Sequence, residues 1–255
     1  MAHPSLNELI LVLTGATSAA GEAAARKAAA SGARLVLAAR DADALEALAV
    51  ALRADGAEVE TVPADAGVAA EAAAITTAAQ ARFGRVDSWI NIPGVDVYGA
   101  NEPSTLDDMQ RVMQTNFWGV VNGTLEAVKL MRAQGDGTIV NVGGVADEPA
   151  LALQGTYAAA EQAVQGFTES LRMELGREHA PLNLVLVTGA LSGEDAVETV
   201  ARTVLQAATH PRREIVAGRP GPLASIVNTK TLLVGGALLA GWAMARRPAR
   251  RALRA

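Results

Sequence analysis

A single α/β domain on a doubly wound, mainly parallel seven-stranded sheet, with helices on both faces, is the fold this sequence predicts. Three observations predict it. Short apolar runs alternate with amphipathic stretches from residue 9 to residue 217, as in sheets whose strands are covered on both sides. The first of these runs leads directly into a glycine-rich turn and then a helix. Finally, 255 residues of which half are apolar suit one large core.

The elements follow in order. Leu9-Ile10-Leu11-Val12-Leu13 is continuously apolar and reads as the first strand. The helix after Gly21 ends near Gly32, a residue suited to a left-handed cap. Leu35-Val36-Leu37-Ala38-Ala39 gives the second strand. Asp41 can cap the next helix, in which Leu45, Leu48 and Leu52 share one face. Residues 59–62 and 86–92 give the third and fourth strands. Thr138-Ile139-Val140-Asn141-Val142 is the fifth, residues 182–187 the sixth, and Glu214-Ile215-Val216-Ala217 the seventh. Helices are expected over residues 69–82, 106–132, 156–177 and 195–208. No internal repeat is visible, and Arg219-Pro220-Gly221-Pro222 is the first linker-like break. The expected organisation is a domain over residues 1–219 and an appendage over residues 220–255.

The appendage is apolar and then basic. Residues 232–245 carry no charge, and Arg246, Arg247, Arg250, Arg251 and Arg254 follow. From Thr231 the apolar stretch is about fifteen residues long, short of the roughly twenty that span a bilayer. Two readings stand. One is a helix buried against protein with a solvated tail. The other is a helix on a membrane surface, with residues 231–255 in contact and the arginines at anionic headgroups.

Composition excludes several chemistries. The chain has no cysteine, so disulfides, thiolate metal sites and a cysteine nucleophile are ruled out. His3, His179 and His210 match no ligand spacing, and no metal is expected. A net charge of −5 gives no support for nucleic-acid binding. The N-terminus lacks the pattern of a signal peptide, and the expected location is the cytoplasm.

The first strand runs into Thr14-Gly15-Ala16-Thr17-Ser18-Ala19-Ala20-Gly21. Small residues at Gly15, Ala19 and Gly21 let backbone approach a pyrophosphate, and the helix N-terminus offers free N–H groups and positive potential. Thr17 and Ser18 offer hydroxyls to phosphate. A purely structural tight turn is the plainer reading. Further along, Tyr157-Ala-Ala-Ala-Glu161 puts a phenol and a carboxyl on one helix face. Together these stretches resemble the short-chain dehydrogenase/reductase family, over roughly residues 9 to 218. The resemblance implies a Rossmann-type fold, a nicotinamide dinucleotide and oxidoreductase chemistry at a carbonyl or alcohol carbon.

On that resemblance, the residue after the second strand separates NAD from NADP, an acid favouring the first and an arginine the second. Ala39 is followed by Arg40, so NADP is expected over NAD. Asp65 matches the family's aspartate at the adenine. Asn91-Ile92-Pro93-Gly94 keeps the first and last residues of the family's Asn-Asn-Ala-Gly. Asn91 and Gly94 are therefore expected on the nucleotide side, although Pro93 has no N–H.

Catalysis in the family rests on an asparagine, a serine, a tyrosine and a lysine. Asn116, in Thr115-Asn116-Phe117-Trp118-Gly119, matches the first, and Tyr157 matches the third and belongs also to the cofactor set. The serine position, thirteen residues before the tyrosine, holds Gly144. Loss of one such donor costs about 10²–10³ in rate. The lysine position holds Glu161. At about 5 Å and an effective dielectric of ~20, one unit charge is worth about 3 kcal/mol. A carboxylate there is expected to hold the phenol above its ordinary value of about 10, and neutral. Oxidation needs a phenolate base, whereas reduction needs only a neutral donor. A surface carboxyl turned away from Tyr157 is the plainer reading of Glu161.

A third departure follows the sixth strand. Only Ala190-Leu191-Ser192-Gly193 separates Thr188-Gly189 from helix signals at Glu194-Asp195, where the family has a long substrate-covering segment. These departures point to an NADP(H)-binding protein with weak or no turnover. The alternative is a working NADPH-dependent carbonyl reductase or alcohol dehydrogenase that uses Tyr157 and Asn116 on a small carbonyl substrate. The family's helices that carry these two residues pack across subunits, so a homo-oligomer is expected, a monomer being the alternative.

Overall fold

Six strands of four to seven residues form the body of a parallel sheet. They are β1 Ile10–Thr14, β2 Arg34–Ala39, β3 Val59–Pro63, β4 Ser88–Asn91, β5 Gly137–Val142 and β6 Leu182–Thr188. The structure, a computed structural model, describes residues 4–93, 105–143, 155–188, 196–212 and 214–217. Where the sequence suggested a full seventh strand, a three-residue segment, β7 Glu214–Val216, pairs onto the edge beside β6. The order is β3-β2-β1-β4-β5-β6-β7, with each neighbouring pair parallel. From β1 the chain winds outward one way through β2 and β3, then crosses to β4 and winds the other way. The crevice above the carboxyl ends of β1 and β4 is therefore the topological switch point, where doubly wound sheets bind ligands.

The chain divides into two units, Met1–Arg219 and Pro220–Ala255, and every described residue belongs to the first. Gly94, Gly144, the connection over residues 189–195 and the whole of residues 218–255 lie outside the described residues. Among the described residues, no helix is long and apolar enough to cross a membrane.

The helices are α1 Ala19–Ala30, α2 Ala42–Ala54, α3 Ala69–Phe83, α4 Leu106–Val112, α5 Gly119–Gln134, α6 Gly155–Arg177 and α7 Ala196–Thr209. A 3₁₀ turn over Leu6–Glu8 precedes β1. Successive strand residues point to opposite faces, and each face has its own core. Leu11, Leu13, Leu35 and Leu37 pack with alanines of α1, leucines of α2 and the apolar face of α7. Val12, Val36, Trp89 and Ile139 pack with α3, α5 and α6 on the other side. Ala24, Ala25 and Ala28 are fully buried, so α1 approaches the sheet on small side chains. Asp41 caps α2 as expected, accepting from the Ala44 N–H at 3.0 Å.

Two boundaries differ from the sequence reading. Helix α1 begins at Ala19, not after Gly21, because Ser18 is its N-cap and Gly21 falls within the first turn. The stretch expected as one helix over residues 106–132 is interrupted by a π-helical turn, Met113–Trp118, between α4 and α5. Such turns insert an extra residue and often mark functional sites. This one carries Asn116.

Candidate functional site

Above the switch point lies an open cleft of about 190 Å³. Gly15, Thr17 and Ser18 reach it from the β1–α1 turn, Arg40 from the end of β2, and Asp65 from the end of β3. The fold thus gathers onto one cleft five residues that the sequence assigns to a nucleotide.

The turn leaves no room for side chains at two positions. Gly15 has φ +69°, and a β-carbon there would lie 2.0 Å from the Ile92 carbonyl oxygen. A β-carbon on Gly21 would lie 2.2 Å from the Gly15 carbonyl oxygen. Both glycines are therefore required by close backbone approach. Ser18 donates its hydroxyl proton to the Gly15 carbonyl at 2.8 Å and accepts from the Gly21 N–H at 3.1 Å. Its proton is committed to the turn, so Thr17 is the hydroxyl better placed for a ligand. Ala19 is the exposed first residue of α1.

Arg40 is exposed at the rim of the cleft, and no carboxylate among the described residues forms an ion pair with it. The Asp65 carboxylate accepts from the Gly67 N–H at 2.8 Å, forming a small turn after β3. The Asn122 amide holds that turn from α5, donating to the carbonyls of Ala66 and Gly67 at 3.0 and 2.9 Å.

Asn91 takes a different place from the one expected. It is buried at the end of β4, and its side chain enters a polar chain inside the core. Its Oδ1 accepts from the Trp89 indole N–H at 2.8 Å and from the Thr14 hydroxyl at 3.2 Å. Its Nδ2 donates to Asn141 Oδ1 at 2.8 Å and to Thr124 Oγ1 at 3.2 Å. Asn141, its register partner across β4 and β5, donates onward to Thr168 Oγ1 on α6 at 3.0 Å. This chain ties β1, β4, α5, β5 and α6 together beneath the cleft. Sequence reasoning missed Thr124, Asn141 and Thr168. The available signal was one asparagine near the carboxyl end of each of two adjacent strands.

The expected catalytic positions lie on two packed elements. Asn116 is buried in the π-helical turn, and that turn packs on α6. Tyr157 is half-buried in the first turn of α6. Glu161, one turn later, is only 2% exposed. It is therefore not a surface carboxyl. Its Oε2 lies 3.5 Å from the point where a β-carbon on Gly143 would stand, at the carboxyl end of β5. Neither described lysine supplies a cation in its stead. Lys27 pairs with Glu198 at 2.6 Å, and the exposed Lys129 lies 3.9 Å from Glu126. Among the described residues, no cluster of three or more His, Asp or Glu side chains could hold a metal ion.

Comparison with known proteins matches residues 9–194 to the short chain dehydrogenase family model. The uncharacterized oxidoreductase YxnA of Bacillus subtilis (strain 168) is 37% identical over 235 residues, covering 84% of this chain and 66% of its own length. The chain thus spans just under two thirds of that relative. A metagenomic short-chain oxidoreductase in complex with NADP has a TM-score of 0.74 at 28% identity, covering 86% of this chain and all of that one. A short chain dehydrogenase/reductase from Burkholderia phymatum in complex with NAD also has a TM-score of 0.74, at 25% identity, covering 97% of this chain and 98% of that one.

Proposed function

The chain belongs to the short-chain dehydrogenase/reductase family of oxidoreductases, and from that premise we propose that it binds NADP(H) in the cleft and catalyses hydride transfer weakly or not at all. The observation that carries this reading is Glu161, a buried acid on α6 at the position where the family has a lysine.

The residues present fit a dinucleotide. Gly15 and Gly21 leave a backbone cradle that a β-carbon would fill, and the N-terminus of α1 presents free N–H groups to phosphate. Asp65 stands on the adenosine side. Arg40 at the rim supports NADP over NAD, because a guanidinium pairs with a 2′-phosphate and gains nothing from a 2′-hydroxyl. The preference rests on Arg40 alone, since relatives of the same fold carry either nucleotide.

When bound, the nicotinamide exchanges a hydride with a carbonyl or alcohol carbon. The chain's own part is to position the ligand and to move a proton at Tyr157 Oη. Position 161 supplies no cation for that step, whether its carboxyl is charged or neutral. Lacking the ammonium of a lysine at that position, the phenol is better suited to donate a proton in reduction than to act as a base in oxidation. Gly144, at the serine position, has no hydroxyl to polarise a carbonyl.

A second reading is a working NADPH-dependent carbonyl reductase that uses Tyr157 and Asn116. It is favoured by the retention of both residues on packed elements, Asn116 in a π-helical turn against α6. In either case Met109, Trp118 and Leu125 on α4 to α5, with Met173 on α6, are exposed apolar residues that support a homo-oligomer through these helices.

Titration with NADPH, followed by fluorescence and melting temperature, tests the reading. Saturable binding that raises the melting temperature, with background hydride transfer to a panel of carbonyl compounds, is the expected result. Absence of binding overturns it, and rapid turnover replaces it with the second reading.

A further inference from the structure

We infer that Gln114 and Asn122 are positioning residues for the nucleotide. Their amides fix the turn after β3 that receives the adenosine half, and Gln114 couples that half to the π-helical turn that carries Asn116. This inference rests on the nucleotide-binding reading above and adds to it two residues and a coupling across the site.

The turn lies outside the sheet. Strand β3 ends at Pro63, and Ala64, Asp65, Ala66 and Gly67 then line the cleft before α3 begins at Ala69. Asp65 Oδ1 accepts from the Gly67 N–H at 2.8 Å, closing an Asx turn. No donor among the described residues bonds to Asp65 Oδ2, which leaves that oxygen for a ligand. The carbonyls of Ala66 and Gly67 receive no backbone N–H among the described residues. Side-chain amides take its place. Asn122 on α5 donates to both carbonyls, at 3.0 and 2.9 Å, and Gln114 in the π-helical turn donates to that of Gly67. Gly67 is buried, so its carbonyl depends on these two side chains.

The packing is as close as the bonding. A β-carbon on Gly67 would lie 2.8 Å from the Gln114 carbonyl oxygen. A β-carbon on Gly119, the first residue of α5, would lie 3.7 Å from both the Ala66 β-carbon and the Gly67 nitrogen. Thr115 and Gly119 line the same cleft as the turn. Asn116 follows Gln114 by two residues within the π-helical turn. A ligand held by Asp65 therefore loads a turn that is anchored on Gln114, and what fixes Gln114 fixes Asn116. Binding energy from the adenosine end, remote from any reacting atom, is in this way available to place Asn116. The coupling is reciprocal, so a loosened π-helical turn weakens the hold on adenosine.

The test is calorimetric titration of the full chain with adenosine 2′,5′-bisphosphate, a fragment without nicotinamide, joined to amide hydrogen exchange over Met113–Trp118 at saturating fragment. Gln114→Leu and Asn122→Leu are each expected to raise the dissociation constant about five- to tenfold, the scale of one hydrogen bond. In an Asp65→Ala background the same substitutions should cost less than about twofold, since they act through the turn that presents Asp65. The fragment should slow exchange across Met113–Trp118 in the wild type, and in both variants that slowing should be lost even at saturation. A purely structural clamp lowers the variants' melting temperature but leaves the folded protein's affinity and exchange response as in the wild type. That result overturns the inference, as does an equal cost with and without Asp65. Wild-type protein that binds NADPH but gains no protection over Met113–Trp118 from the fragment also overturns it, and leaves the binding reading standing. If wild-type protein of native circular dichroism binds neither NADPH nor the fragment, the binding reading falls too. Gln114 is exposed, so Gln114→Leu decides the matter even if Asn122→Leu does not fold.

Discussion

Glu161 on α6 and Gly143 after β5 share one tight space: the carboxyl Oε2 lies 3.5 Å from the point a β-carbon on residue 143 would occupy, and Val164 Cγ1 lies 2.7 Å from the same point. Helix α6 therefore closes over the end of β5 on a glycine, and the buried acid is part of that closure. A hydroxyl cannot be added at residue 143 without moving Val164. Gly143→Ser is expected to cost about 1–3 kcal/mol of stability by overpacking, read from urea denaturation. A variant within about 0.5 kcal/mol of wild type, the range of neutral surface changes, would show that α6 does not close there.

Asn91 belongs to the same region but acts inward. Asn91→Leu keeps the branched shape of the side chain while stranding the Trp89 indole N–H and the Thr14 hydroxyl that now bond to it. Unpaired buried polar groups cost about 1–3 kcal/mol each, so a loss of about 2–4 kcal/mol is expected in denaturant titration. A loss below about 1 kcal/mol, the size of one ordinary hydrogen bond, would count against the polar chain beneath the cleft.

Arg40 has the opposite profile, exposed and at the rim of the cleft. Arg40→Ala is expected to leave stability unchanged and to weaken NADPH binding about 10- to 100-fold, the worth of one or two charge-assisted hydrogen bonds. NADH binding should move by less than about twofold, since no phosphate is lost. Equal weakening of both nucleotides would remove Arg40 from the 2′-phosphate.

The strands were legible because a parallel sheet covered on both faces needs unbroken apolar runs, and Leu9 to Leu13 or Leu35 to Ala39 can do little else. The β1–α1 turn was legible for a similar reason, as few sequences place glycines at this spacing after a strand. The roles of individual polar residues were less so. An asparagine at the end of a strand reads as facing a ligand, yet Asn91 is spent on Trp89, Thr14, Thr124 and Asn141. Ser18 reads as a phosphate donor, yet its proton closes the turn on Gly15. The π-helical turn at Met113–Trp118 shifts the register by one residue without changing composition, so periodicity did not show it. Burial of Glu161 was readable in principle, because Val164 and Thr168 follow it at helical spacing and all three are buried.

The proposal that catalysis is weak or absent is tested most directly by NADPH oxidation, followed by absorbance across a broad carbonyl panel, for the wild type and for the double variant Gly144→Ser with Glu161→Lys. The wild type is expected at the enzyme-free background, with the double variant at least ~100-fold above it, the scale set by one restored carbonyl-polarising donor. A wild type already turning over at about 1–10 s⁻¹, as ordinary enzymes do, with the double variant no faster, would contradict it.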